Sequence, residues 1–301
     1  MKKTYRIGMH GGFDHDKFSR DYMPEFIQGI EVCSFETMDE VNTLFEHKEK
    51  HGFSVGVHFP MFKGNYKQRD PLYLHKEKKE REDAFYAIEQ ELILGKRMGI
   101  EYLLMHFPKP MPLDVKLPWN LAVVQDKERY TESELSKKEF EELCIDCIKR
   151  LNELSTHYDL PIVLELDLLN GYLNDGVFLS GLLKENSAVK VCLDSARMHV
   201  NAKIDPNFDM QKLVGRLAPY TKVLHLSNVM VSEHGLHNRH HPVSKDERTS
   251  DGYGDTHSFL QTFNASKQPK ELNILFEHQS TRITIVELIS CYDWVIQTLK
   301  G

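Results

Sequence analysis

Short apolar runs alternate along the chain with longer amphipathic stretches. The runs are Thr4 to Met9, Gly29 to Ser34, Phe53 to His58, Glu101 to His106, Ile162 to Leu166, Val189 to Leu193, Lys222 to Leu226 and Asn273 to Glu277. They are rich in Val, Ile and Leu and apolar on both faces, the pattern of parallel strands covered by helices. Between them the apolar positions take up the helical period. Thr37 with Glu40, and Ser136 with Glu139, have capping-box spacing ahead of Val41 and Phe140. Phe140, Leu143, Cys144, Cys147, Ile148, Leu151 and Leu154 make one continuous stripe, and Ile285, Leu288, Ile289, Tyr292, Ile296 and Leu299 make a last one. Such alternation requires right-handed crossovers and a parallel sheet. Eight units close most economically into an α/β fold of one domain, a (β/α)8 TIM barrel over residues 1–301. An open doubly wound sheet is the alternative, but Gly8, Gly11 and Gly12 lack the Gly-x-Gly-x-x-Gly spacing of a dinucleotide site.

Two connections exceed simple turns: Phe107 to Leu135, with four prolines, and Asn228 to Asp255, rich in His. Loops of that length in a compact domain are usually functional or disordered, and both follow strands, on the face where barrels carry their active sites. The strand ends themselves carry chemistry: His10, His58, His106, Glu165, Asp194, His225 and Glu277. Side chains alternate along a strand, so one residue from each end can point over the barrel mouth and several can converge on one ion. Mixed imidazole and carboxylate donors suit Zn, Mn, Fe or Co rather than an all-oxygen ion site. Asp167, two residues past Glu165, has no evident partner. Glu31 faces either the barrel floor or a substrate, with the structural role slightly favoured. In the stretch Glu233 to His241, a second metal or a phosphate-contacting Arg239 competes with a plain solvated loop. Asp251 to Asp255 reads as a glycine turn leading into a helix cap.

Bulk properties narrow the classes. Of 301 residues 41% are hydrophobic, enough for a full core, and the net charge of −7 does not advertise nucleic acid or an anionic membrane. The basic start lacks the apolar segment of a signal peptide, and no run is long enough for a membrane span, so a cytoplasmic location is expected. Five scattered cysteines make no disulfide framework. Cys144 and Cys147 fall on the apolar stripe of a helix and are expected to pack in the core.

Taken together, certain segments resemble the xylose-isomerase-like barrels, a family that includes sugar isomerases, sugar epimerases and endonuclease IV. The segments are Val57 to Pro60, Gly99 to His106, Val163 to Glu165, Cys192 to Ser195, Leu224 to Ser227, Gly252 to Asp255 and Leu275 to Glu277. The resemblance spans nearly the whole chain. It implies that Glu165, Asp194, His225 and Glu277 hold a divalent metal (Zn, Mn, Co, Fe or Mg), with one or two ions in all. It further implies that Glu165 and Glu277 pass a proton between opposite faces of a carbon next to a carbonyl. His10 and Glu31 are candidate substrate contacts.

The endonuclease IV branch adds further metals. His58 and His106 match its second site, with Glu165 as the shared ligand. Its third site is where this sequence departs: Asn238-Arg239-His240 stands for Asp-Arg-His, and Arg197 occupies the position of a His, with His199 two residues on. A displaced imidazole and a lost carboxylate weaken a three-metal centre, and Arg197 could instead bind a phosphate or carboxylate. The expected function is therefore a metal-dependent isomerase or epimerase acting on a small sugar, keto-polyol or sugar phosphate. The alternatives are a nuclease acting on abasic DNA, and a non-catalytic sugar-binding barrel or related dehydratase. The sequence leaves the oligomeric state open.

Overall fold

The computed structural model describes residues 1–64, 66, 68–118 and 128–300. In chain order its strands are β1 (Lys2–His10), β2 (Gly29–Cys33), β3 (Ser54–His58), β4 (Leu103–Phe107), β5 (Met111–Leu113), β6 (Arg129–Thr131), β7 (Ile162–Leu166), β8 (Val189–Asp194), β9 (Thr221–Leu226), β10 (Asn228–Ser232), β11 (Gly235–His241) and β12 (Glu271–Phe276). Eight of them, β1, β2, β3, β4, β7, β8, β9 and β12, close an all-parallel barrel in that order, β12 returning to β1. This is the expected single (β/α)8 barrel. Strand bounds shift by one or two residues: β8 runs through Asp194, and β12 stops before Glu277.

Both long connections contain further strands. In the first, β5 and β6 pair in parallel, and the stretch 119–127 lies outside the described residues. The second is an antiparallel hairpin of β10 and β11, so the His-rich segment is an ordered two-stranded arm rather than a plain loop.

The helices are α1 (His15–Asp21), α2 (Met38–His51), α3 (Lys78–Met98), α4 (Lys137–Tyr158), α5 (Val177–Glu185), α6 (Ser195–Ile204), α7 (Met210–Leu217), α8 (Thr256–Ala265) and α9 (Ile285–Lys300). The capping box of α4 is complete, whereas that of α2 is half made. Thr37 accepts from the Glu40 amide, but the Glu40 carboxylate turns back to the amide of Glu36. Asp255 caps α8 by accepting from Ser258, as the glycine turn before it suggested. Cys144 and Cys147 are buried on the core side of α4. None of the described helices is long and apolar enough to cross a membrane.

Apolar on both faces is too simple a description of the strands, because the barrel interior is layered. At the bottom the wholly buried Arg6 donates to Asn273 (2.9 Å), to the Ser54 hydroxyl (2.8 Å) and to the Ser54 carbonyl (3.1 Å), and it pairs with Glu101. Above it Tyr102, Leu104, Val163, Cys192 and Val223 form a small apolar layer of their own. One step of two residues further up, four of the strands carry His106, Glu165, Asp194 and His225. The pleat thus turns a run of apolar strands into a cup with ionisable groups at its mouth.

Two glycines make room for the bulky members of these layers. A Cβ on Gly29 would stand 2.5 Å from Arg6 Nη1, and one on Gly56 only 2.3 Å from Cζ of the buried Tyr102. Tyr102 in turn donates from its hydroxyl to Glu31 (2.7 Å). Gly56→Ala must displace that ring, so it should cost about 1–3 kcal/mol, as overpacking does elsewhere. Urea unfolding followed by circular dichroism measures this, and an unchanged midpoint would show that the ring has slack.

Candidate active site

Parallel pairing sets Glu165 beside His106, and Asp194 beside His225, at equal height on neighbouring strands. Each imidazole is then held by its other nitrogen. His58 Nδ1 lies 2.8 Å from the Phe59 carbonyl, His106 Nδ1 2.6 Å from Asp70, and His225 Nε2 3.2 Å from Glu31. Those oxygens can only accept, so in neutral rings each of these nitrogens carries the proton. The opposite nitrogens are left bare, and all three face one atom. His58 Nε2, His225 Nδ1 and His106 Nε2 stand 3.2, 3.5 and 3.7 Å from Oε2 of Glu165. His225 Nδ1 is also 3.5 Å from Glu277, and it is buried without a hydrogen bond.

Lone pairs cannot face a carboxylate oxygen across such gaps without a cation or added protons between them. The ionisation behaviour shows the same demand. Burial would raise the Glu165 carboxyl, yet His225 and His106 hold it well below the usual carboxylate range. Asp194 is pushed up to about 7, by burial first and then by Glu165 and Glu277. Burial would lower His225, but Cys192, Glu31 and Glu165 around it hold it well above the usual imidazole value.

Two buried triads satisfy the spatial requirement for an ion: His58, His106 and Glu165, and Glu165, Asp194 and His225. Donors about 2.1 Å from a common ion at tetrahedral angles lie about 3.4 Å apart, close to the gaps seen here. The residues therefore fit a divalent cation with mixed nitrogen and oxygen ligands. Glu165 is the shared member of the two triads. Glu277 adjoins the second triad through His225 rather than completing it.

The other candidate residues are dispersed. Glu31 lines the cavity floor, but its carboxylate accepts from Tyr102 and His225, which makes it a positioning group for His225. His10 reaches the cavity rim with Nδ1 3.0 Å from Cys33. His199 is turned away, its Nε2 2.9 Å from the Gly252 carbonyl. Asn238 donates to Tyr253 on the exposed side of the hairpin, whereas His240 lines the cavity with Nδ1 3.4 Å from the Glu277 carbonyl. Among the described residues no hairpin histidine joins a group of three potential ligands. Above the ligands lies a cavity of about 700 Å³, walled by His10, His58, Arg69, His240 and Glu277 among others.

Sequence reasoning missed the buried network behind His106. Asp70, which orients that ring, is also 3.3 Å from Lys109 Nζ. Lys109, itself almost wholly buried, stands 3.0 Å from Asp167 and 3.2 Å from Glu128. Asp167 closes the chain with an ion pair to Arg197 at 3.0 Å. The one signal available was a lysine three residues past His106, held between Pro108 and Pro110 on the active face. Asp70 sits in a segment with no periodicity to place it.

Asp70 and Asp167 are both held well below the usual carboxylate range: burial opposes this, but His106 and Lys109 outweigh it at Asp70, and Arg197 and Lys109 at Asp167. Lys109→Met strips these acids of a buried counter-charge and should cost about 3–5 kcal/mol at pH 7. Depressed carboxylates contribute stability above their unfolded value of about 3.9, and that contribution is lost as pH falls. The gap between wild type and variant should therefore be full above about pH 5 and narrow towards pH 3 in urea titrations. A gap independent of pH would mean that packing, not charge, is what Lys109 supplies.

No protein-family model matches the chain, and no curated protein matches it by sequence. Solved structures do match. The chain is similar to 3-keto-D-glucoside 4-epimerase from E. coli at 12% identity, covering 98% of this chain and 100% of that one, with a TM-score of 0.63. A D-tagatose 3-epimerase-like protein matches at 10% identity over 99% and 97% of the two chains, TM-score 0.64. The IolI protein with a bound zinc atom matches at 11% identity over 99% and 98%, TM-score 0.59. The likeness covers nearly the whole of each chain while the sequences differ, so what is shared is the fold, a (β/α)8 barrel.

Proposed function

We propose that the protein is a metal-dependent isomerase or epimerase that moves a proton at a carbon next to a carbonyl in a small keto-sugar or related polyol. The observation that carries this is the pair Glu165 and Glu277, each 3.5 Å from the same bare nitrogen of His225, with Glu277 lining the cavity. Two carboxylates facing one point, one from within β7 and the other just past the end of β12, can serve opposite faces of a substrate carbon, one removing the proton and the other returning it. Glu277 is the more accessible, with its side chain 32% exposed against 3% for Glu165. Burial raises Glu277 but His225 outweighs it, lowering it to about 2, so its carboxylate is ionised. Glu31 fixes the His225 ring, and Asp70 fixes that of His106, so both rings are oriented before substrate arrives.

A divalent metal, when bound by Glu165, Asp194 and His225, would supply Lewis-acid stabilisation of the charge that develops on the carbonyl oxygen. The solved structures of similar fold named as epimerases of keto-sugars, and the zinc-bound one, support this reading. The nuclease alternative rests on the triad of His58, His106 and Glu165. Against it, Arg197 stands where a third site needs an imidazole, and His199 is engaged by Gly252.

Purified protein incubated with ketoses in deuterated water should incorporate deuterium at the carbon next to the carbonyl, read by NMR. Glu165→Gln and Glu277→Gln should each slow this by about 10²–10⁴-fold, the usual weight of general acid–base catalysis. Incision of an abasic duplex by wild type, together with no exchange in any ketose, would hand the site to the nuclease reading.

A further inference from the structure

The three histidines that face Glu165 are each backed by an oxygen that only accepts, so each turns a lone pair towards that carboxylate. His10 is backed differently. Parallel register sets it, the last residue of β1, opposite Cys33, the last residue of β2. Its Nδ1 lies 3.0 Å from the Cys33 Sγ, and its Nε2 makes no hydrogen bond with any described residue. Both residues line the cavity, as do Glu277 and His58.

A thiol has one proton to give, and a ring nitrogen is a far better acceptor than sulfur. A second acceptor, the Met9 carbonyl, is 4.0 Å from Sγ and so competes poorly with the ring. The thiol keeps its proton, because burial pushes it up to about 11. Burial first, and then Arg69, lower the His10 ring, which leaves it neutral at pH 7. A neutral imidazole that accepts at Nδ1 carries its own proton on Nε2, on the side away from Cys33. The polarity of His10 is therefore the reverse of that of His58, His106 and His225. A lone pair suits a cation, whereas an N–H at a cavity wall suits an oxygen that gains negative charge.

We propose that Cys33 is a positioning residue that fixes the tautomer of His10, and that His10 thereby donates from Nε2 to a substrate oxygen in the cavity, the one that turns negative as the carbon beside it loses its proton. The tautomer stands on the contact between His10 and Cys33; only the oxygen it serves rests on the isomerase reading. His10 is then a donor beside the ligand cluster and not a member of it, in keeping with the two triads, neither of which includes it.

The test is long-range proton–nitrogen NMR of the zinc-loaded protein, the His10 signals being the set that disappears in His10→Phe. Wild type should show the Nε2–H tautomer. Cys33→Ala should shift the ring to a mixture of tautomers, and Cys33→Ser, whose hydroxyl can also donate, should restore the wild-type form. A protonated Nδ1 in wild type overturns the proposal, because sulfur is then the acceptor and the ring offers the cavity a lone pair. An Nε2–H tautomer unchanged in Cys33→Ala overturns it too. Kinetics test the donor: with zinc content equal to wild type by elemental analysis, His10→Phe should lower kcat for deuterium exchange into a ketose by about 10²-fold, as loss of one oxyanion donor does, and Cys33→Ala by about tenfold, with KM moving less in both. Exchange at the wild-type rate in His10→Phe overturns the donor. The two readings fail separately: a tautomer set by Cys33, with no exchange in any ketose, keeps the lock and removes both the isomerase and the oxygen that His10 would serve.

Discussion

Everything at the mouth of this barrel depends on the carboxylate of Glu165. Three imidazole nitrogens point at one of its oxygens across 3.2 to 3.7 Å, and each ring is locked from behind by an acceptor. Such an arrangement is repulsive unless positive charge is shared among the lone pairs. The fold supplies it either by holding the histidines protonated or by gathering them on a cation, and the second satisfies every donor at once. The supporting shell follows from this demand, since Glu31 and Asp70 are needed to aim the rings, and Lys109 is needed to keep Asp70 and Asp167 ionised in a buried place.

The lower half of the barrel makes that upper half possible. Arg6 fills the bottom by donating to three strands' worth of acceptors, and Tyr102 covers it, with the guanidinium carbon 5.3 Å from the ring centre. The ring's hydroxyl then reaches up to Glu31, which reaches His225. A continuous path of contacts therefore runs from the bottom plug to the cluster around Glu165, and Gly29 and Gly56 keep it open by having no side chain to obstruct it. A polar plug of this kind is stable because its charge is matched by hydrogen bonds and by Glu101 rather than left to an apolar interior.

Much of this was legible in the chain. Short runs apolar on both faces located the strands, and His58, His106, Glu165, Asp194 and His225 could be nominated because each stood at the end of such a run. Long amphipathic stretches located the helices, and Cys144 with Cys147 read correctly as core because they shared a stripe with Phe140 and Leu151. The hairpin of β10 and β11 was not legible: Glu233 to His241 has Leu236 as its one large apolar residue and shows no alternation of the sort that marks a half-buried strand. The resemblance set His199 and Asn238 at a possible third-metal or substrate site, yet the Nε2 of His199 lies against the Gly252 carbonyl and Asn238 donates to Tyr253.

The sequence by itself determined the periodicities, and through them a closed parallel barrel whose strand ends hold acids and imidazoles, because side-chain alternation and helical amphipathicity are local properties of the backbone. Only the tertiary structure decided which of those groups meet. Glu165 touches three histidines because parallel register sets neighbouring strand ends at one height, and the partners of Asp167 come from a proline-bounded turn and from the start of a helix. Charge pairing in a buried place is a three-dimensional condition, set by distances between segments that lie far apart in the chain, and no local pattern records it.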